Sequence, residues 1–168
     1  MTGGSVGWWA GKVRQARRHL TARVAPDERA SLAGWLTPPE LVLFDGMHVA
    51  DRRHGLDVVA WLRRDGVADP DVLVAGLLHD AGKGDTGFLP RVVYSLSQAY
   101  GPGILRLGAG LPGLRDSLRR LEDHAETSAR LAEAAGCSNR SIELIRHQDE
   151  AAPADHLAQR FHLADEAS

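Results

Sequence analysis

Asp69-Pro70-Asp71-Val72-Leu73-Val74-Ala75-Gly76-Leu77-Leu78-His79-Asp80-Ala81-Gly82-Lys83 is the stretch on which the fold turns. Asp69-Pro70-Asp71 is a helix start, with proline at the first helical position where its fixed φ suits the helix. The helix is expected to run through Val72, Leu73, Leu77 and Leu78 to about Gly82. Val72 to Leu78 is the longest strongly apolar run of the chain, far short of the roughly 20 residues that span a bilayer. An apolar helix of this kind does not ordinarily end on two adjacent ionisable groups, because desolvating them is costly. His79-Asp80 therefore needs a compensating partner. A metal ion is one such partner, since it takes neutral imidazole and carboxylate as ligands and offsets the carboxylate charge. A hydrogen-bonded His-Asp pair at a helix end is the plainer alternative.

On either side of this stretch the pattern stays helical. Val6 to Val24 carries Trp9, Val13, Ala16 and Leu20 at three- and four-residue spacing, and Asp27 to Trp35 reads as a short second helix after Pro26. Thr37-Pro38-Pro39-Glu40 combines a Thr cap, an early proline and Glu three residues after the cap, and starts a helix with Leu41, Val42 and Phe44. A helix from about Val49 to Arg64 has Val58, Trp61 and Leu62 on its apolar face. Leu89 to Tyr100 reads as helix, the glycine- and proline-rich stretch Gly101 to Gly113 as a loop or broken helix, and Arg115 to Ala135 as helix interrupted near Glu122. Ser138 caps a helix to about Asp149, and Pro153 opens a last one. With no convincing sheet signal, the expected fold is all-α: an N-terminal helical extension over residues 1–40, packed on a helical bundle over 41–168.

Composition narrows the function. The chain has 168 residues, with 43% hydrophobic and 25% charged, which is ordinary for one globular domain. Lys plus Arg number 20 against 22 Asp plus Glu, so a strongly basic nucleic-acid binder is excluded as the default. One cysteine, Cys137, rules out an internal disulfide and a cysteine-based zinc ribbon. The apolar Val6-Gly7-Trp8-Trp9-Ala10 precedes the basic residues, the reverse of a signal peptide, so a cytoplasmic protein is expected. The N-terminal segment carries Lys12, Arg14, Arg17, Arg18 and Arg23 before the first acid, Asp27. Docking on the domain or on another subunit is favoured over an anionic membrane surface for it.

Four further candidate ligands lie at helix-compatible positions: His54, His124, His147 and Asp165. Each alone has a plain reading as a packed or capping residue. Together with His79 and Asp80 they supply imidazole and carboxylate from five separate helices, the way bundle interiors build metal sites. Gly76 to Gly84 only imitates a phosphate-cradling loop. Five residues rather than four separate Gly76 from Gly82, Gly84 stands where a Ser or Thr should be, and the segment ends a helix instead of opening one. His19, His48, His156 and His162 are read as surface or packing residues.

The order His54, His79-Asp80, His124, His147, Asp165 resembles the HD-domain metal-dependent phosphohydrolases. Arg53-His54-Gly55-Leu56-Asp57-Val58 and Leu77-Leu78-His79-Asp80-Ala81-Gly82-Lys83 are similar to that family's first two motifs, and the likeness runs from about Leu41 to the end of the chain. The added histidines resemble a subgroup that cleaves symmetrical dinucleoside polyphosphates with two metals. Where that subgroup has a His-Thr pair followed closely by Gly, this chain has His147-Gln148-Asp149-Glu150.

The resemblance implies an HD-domain bundle with two added N-terminal helices. It implies His54, His79, Asp80 and Asp165 around one cation, with His124 and His147 around a second and Asp80 bridging. The ligand types suit Fe, Mn, Zn, Ni or Co, with Mg as a further option. Asp80 and Lys83 would serve catalysis. Lys83 would hold a substrate phosphate, unless it is simply a lysine favoured by a helix C-terminus. Arg53 would contact substrate in a similar way, or remain an exposed helical arginine. The implied reaction is hydrolysis of a phosphate ester or anhydride of a nucleotide or similar small compound by metal-bound hydroxide. An HD-type di-iron oxygenase and a non-catalytic regulatory or binding module are the alternatives. No nucleic-acid or integral membrane partner is expected, and a homodimer is compatible with the sequence.

Overall fold

The computed structural model describes residues 21–84, 123–149 and 154–168. Among them lie seven α-helices and one 3-10 turn, with no strand. The all-α class follows. The expectations for Val6 to Leu20, Leu89 to Tyr100 and Gly101 to Gly113 lie outside the described residues. In chain order the helices are α1 (Pro26–Leu32), α2 (Pro38–Gly46), α3 (Val49–Arg64), α4 (Pro70–Leu78), α5 (His124–Ala134), α6 (Asn139–Arg146) and α7 (His156–Ala167), and the 3-10 turn Ala81–Lys83 follows α4. No helix among the described residues is long and apolar enough to cross a membrane.

Helix starts obey local chemistry. Asp69 Oδ1 accepts the backbone N–H groups of Asp71 (2.9 Å) and Val72 (3.2 Å), which fixes the start of α4. Glu40 reaches back to accept the N–H of Thr37 at 2.8 Å, and Ser138 Oγ accepts the N–H of Ser141 at 3.0 Å. The last helix begins at His156, three residues after the expected Pro153. Asp155 is the reason, since its Oδ1 accepts from Leu157 (3.1 Å) and Ala158 (3.0 Å) and makes it the stronger cap.

Every residue from Val72 to Leu78 is buried, so α4 is enclosed on all sides, as expected of a helix that is apolar all round. It packs against α3, α6 and α7, while α5 packs on α6 and on the 3-10 turn. Phe44, Val58, Leu62, Val72, Leu77, Leu78, Ile145 and Phe161 fill the centre. Each such side chain contributes roughly 1.5–3 kcal/mol by burial. The core thus surrounds α4 and carries its C-terminal His-Asp pair into the interior.

Candidate metal centre

α4 stops at Leu78 instead of continuing to Gly82. His79 is its C-cap, Asp80 stands at φ -97° and ψ 5°, and the chain tightens into the 3-10 turn. His79 is 1% exposed and Asp80 2%. The Nδ1 of His79 lies 3.0 Å from the carbonyl oxygen of Gly76. A carbonyl only accepts, so Nδ1 carries a proton and Nε2 is left facing away from the helix. The ring is wedged edge-on between His54 and Phe161, with centroids 5.2 and 5.6 Å away.

Two glycines bring the neighbouring elements up to this pair. A Cβ on Gly55 of α3 would lie 2.4 Å from the carbonyl oxygen of Leu77, so only glycine lets α3 cross α4 this closely. The crossing delivers the adjacent His54 to the site. Its Nε2 lies 2.7 Å from Oδ1 of Asp165, which arrives from α7 and sits 3.2 Å from His79 Nε2. A Cβ on Gly82 would lie 2.6 Å from both the carbonyl oxygen of His124 and the amide nitrogen of Ser128. The Gly82 N–H donates to Ser128 Oγ at 2.8 Å, closing the 3-10 turn onto the first turn of α5. That contact sets His124 Nε2 at 4.0 Å from Asp80 Oδ1.

Asp80 divides its two oxygens. Oδ2 accepts from Lys83 Nζ at 2.6 Å, and Oδ1 faces His79 Nε2 at 3.4 Å. Burial works against charge on all of these groups, yet the partners outweigh it. Burial pushes the His79 imidazolium down, and the Asp80 and Asp165 carboxylates hold it up at about 9. Burial raises the Asp80 carboxyl, and His79 and Lys83 bring it well below the usual range. The Asp165 carboxyl is likewise raised by burial and lowered further by His79 and His54, and it ends far below its ordinary value. Lys83 is lowered by burial and raised by Asp80, with a net rise.

The donor set could hold a metal ion. His54, His79 and Asp80 each offer a ligand atom, all within 4.8 Å of one another. Ligand atoms about 2.1 Å from a metal stand about 3.0–3.4 Å apart when adjacent in an octahedron or tetrahedron. The Asp165–His79 and His79–Asp80 separations of 3.2 and 3.4 Å match that spacing. The sharper observation concerns His79 Nε2 and Asp80 Oδ1. Both are buried and neither meets hydrogen-bond geometry, although Asp165 Oδ1 at 3.2 Å and Asp80 Oδ1 at 3.4 Å both face His79 Nε2 as ion-pair partners. Buried polar atoms of a folded protein ordinarily have hydrogen-bond partners.

The sequence-derived residues therefore divide. His54, His79, Asp80, Asp165 and, at 4.0 Å, His124 come together. His147 does not join them through any described contact. It caps α6, its side chain is 62% exposed, and its Nε2 lies 3.4 Å from Glu143. Lys83 is held by Asp80. Arg53 is engaged by Glu28 (2.7 Å) and Asp57 (2.9 Å), tethering α1 to α3. Sequence reasoning passed over Gly55, Gly82, Ser128 and Gln148. Of these, Gln148 carried a readable signal: it lies one turn after the fully buried Ile145, while His147 points away from that face. No family model, characterised protein or solved structure matches this chain.

Proposed function

We propose that the chain is a metal-dependent phosphohydrolase of the HD-domain type, acting on a nucleotide or similar small phosphorylated compound. The observation that carries the proposal is the pair of buried, unbonded atoms, His79 Nε2 and Asp80 Oδ1, framed by His54 and Asp165. These four residues would hold one divalent cation, and His124 with Asp80 would reach toward a second. A cation bound there supplies Lewis acidity, polarising a phosphoryl oxygen and making water a nucleophile near neutral pH.

The chain's own groups do the rest. The Gly76 carbonyl fixes the His79 tautomer, leaving Nε2 as the ligating atom. Lys83 neutralises Asp80 Oδ2 and so turns Oδ1 toward the imidazoles. Its remaining ammonium protons would be available to a substrate phosphate. Phe161 and the apolar end of α4 keep bulk water from the buried side of the site.

The test is phosphate release from mono-, di- and dinucleotides by the Mn²⁺-loaded protein without oxygen. Activity should appear with metal and vanish in His54→Ala, whose side chain is part exposed and therefore tolerant of truncation, and in Asp80→Ala. Oxygen consumption with an organic substrate and no phosphate release would replace this reading with an oxygenase. Full turnover in Asp80→Ala would end it.

A further inference from the structure

Gln148 is 5% exposed, and neither Oε1 nor Nε2 of its carboxamide has a hydrogen-bond partner. A buried amide left wholly unpaired is costly, and a Leu of similar volume would avoid the cost. Its position in the fold makes the burial informative. Ser141 Oγ donates to the carbonyl oxygen of Asp71 at 3.0 Å, and Ser138 Oγ donates to Asp71 Oδ1 at 2.8 Å. The N-terminal ends of α6 and α4 are thus pinned together, and the two helices pack along each other. Gln148 follows the C-cap His147, at the end of α6 opposite those pinned serines.

Two more contacts bracket it. Its own carbonyl oxygen lies 3.1 Å from Nδ1 of His162, one turn before Asp165 on α7. Two residues earlier, Arg146 binds Glu126 at 3.0 Å in the first turn of α5, the turn that begins with His124. The end of α6 therefore meets α7 and α5, the helices that bear Asp165 and His124, while α6 itself packs along α4, the helix capped by His79.

We infer that Gln148 is a substrate-contacting residue, its carboxamide donating an N–H to a phosphoryl oxygen bound at the His/Asp centre. The inference rests on the phosphohydrolase reading and extends it to a residue that reading does not use. A neutral donor suits this place. Lys83 is already drawn to Asp80, and the Asp80 and Asp165 carboxylates repel an incoming phosphate. An amide adds attraction there without another charge to desolvate.

The experiment uses the full chain, Mn²⁺ and inorganic phosphate as the probe, followed by titration calorimetry. Gln148→Leu should take up Mn²⁺ as the parent does, bind phosphate at least about tenfold more weakly, and melt no lower than the parent without metal. Gln148→Glu, similar in shape but anionic, should bind phosphate more weakly still. Unchanged phosphate affinity in Gln148→Leu overturns the inference. So does a parallel loss of Mn²⁺ binding, which would make Gln148 a support of the metal site and not a substrate contact. A parent chain that binds Mn²⁺ but no phosphate removes the phosphohydrolase reading together with this inference. A parent that binds no Mn²⁺ removes the metal centre itself.

Discussion

Gly55→Ala tests the geometry that assembles the centre without presupposing its chemistry. In an unconstrained helix this change stabilises by about 1 kcal/mol, because alanine loses less backbone entropy. Here the added Cβ would stand 2.4 Å from the Leu77 carbonyl oxygen, 3.1 Å from its carbon and 3.2 Å from its Cα. Ordinary contact begins near 3.4 Å, so α3 must retreat from α4 by about 1 Å or the helices must tilt. Overpacking of this kind costs about 1–3 kcal/mol, and backbone atoms cannot turn aside as a flexible side chain can. The two effects sum to a net loss of about 0–2 kcal/mol in urea unfolding of the metal-free chain. Gly46, at the end of α2 with nothing within 4 Å of its notional Cβ, is the matched control, and Gly46→Ala should be neutral or stabilising. The second readout is Mn²⁺ affinity by calorimetry. His54 moves with Gly55, and a ligand displaced by about 1 Å lies well outside the roughly 0.2 Å tolerance of a metal bond. Mn²⁺ affinity should therefore fall by at least tenfold, more than the stability loss alone accounts for. If Gly55→Ala is as stabilising as Gly46→Ala and binds Mn²⁺ like the parent, the close crossing of α3 and α4 is refuted.

Other consequences follow from single contacts. Ser128→Ala removes the acceptor of the Gly82 N–H at a fully buried position and should cost about 1–3 kcal/mol in chemical denaturation. Burial, reinforced by the Glu40 carboxylate, pushes the Cys137 thiol up to about 12 from 9.0. Three pH units make its thiolate about a thousandfold scarcer at pH 8, so a colorimetric disulfide reagent should label it rapidly only after unfolding in denaturant. The hydrogen bond from Arg53, aided by the Ala25 N–H, holds the Glu28 carboxyl below 4.5. A depressed folded value means that its stabilisation is present above pH 4.5 and lost as the pH falls through the folded value. The urea midpoint should therefore drop more between pH 7 and pH 3 in the parent than in Glu28→Gln, and equal drops would count against the Arg53 tether.

Some of this architecture was legible from residue types alone, because the deciding interactions are local. Asp69, Glu40 and Ser138 cap their helices through bonds that span two or three residues, and the bounds of α3 fall where its apolar face and terminal arginines put them. Burial of His79-Asp80 followed from the apolar run before it. What was not legible depends on partners distant in the chain. The break at His79 exists because Gly82 must reach Ser128, a contact 46 residues away. Gly55 reads as a helix-weakening residue until α4 lies against it. At the end of α6 two polar side chains adjoin. The histidine drew notice as a ligand type, yet the phase set by Ile142 and Ile145 buries Gln148 and leaves His147 outside.

The arrangement around Asp80 also bears on whether the cluster is kept for stability alone. A buried ion pair stabilises only when its remaining lone pairs are satisfied, and apolar replacement is otherwise as good or better. Asp80 meets that condition on one side only. Oδ2 is taken by Lys83, while Oδ1 makes no hydrogen bond and faces His79 Nε2 at 3.4 Å. Two close-packed glycine crossings and a shortened α4 are spent on bringing more histidine and carboxylate to that same unsatisfied spot, not on covering it. Their joint presence is accounted for if a cation supplies the missing contacts, and metal-dependent stabilisation of the parent that disappears in His54→Ala is the direct consequence.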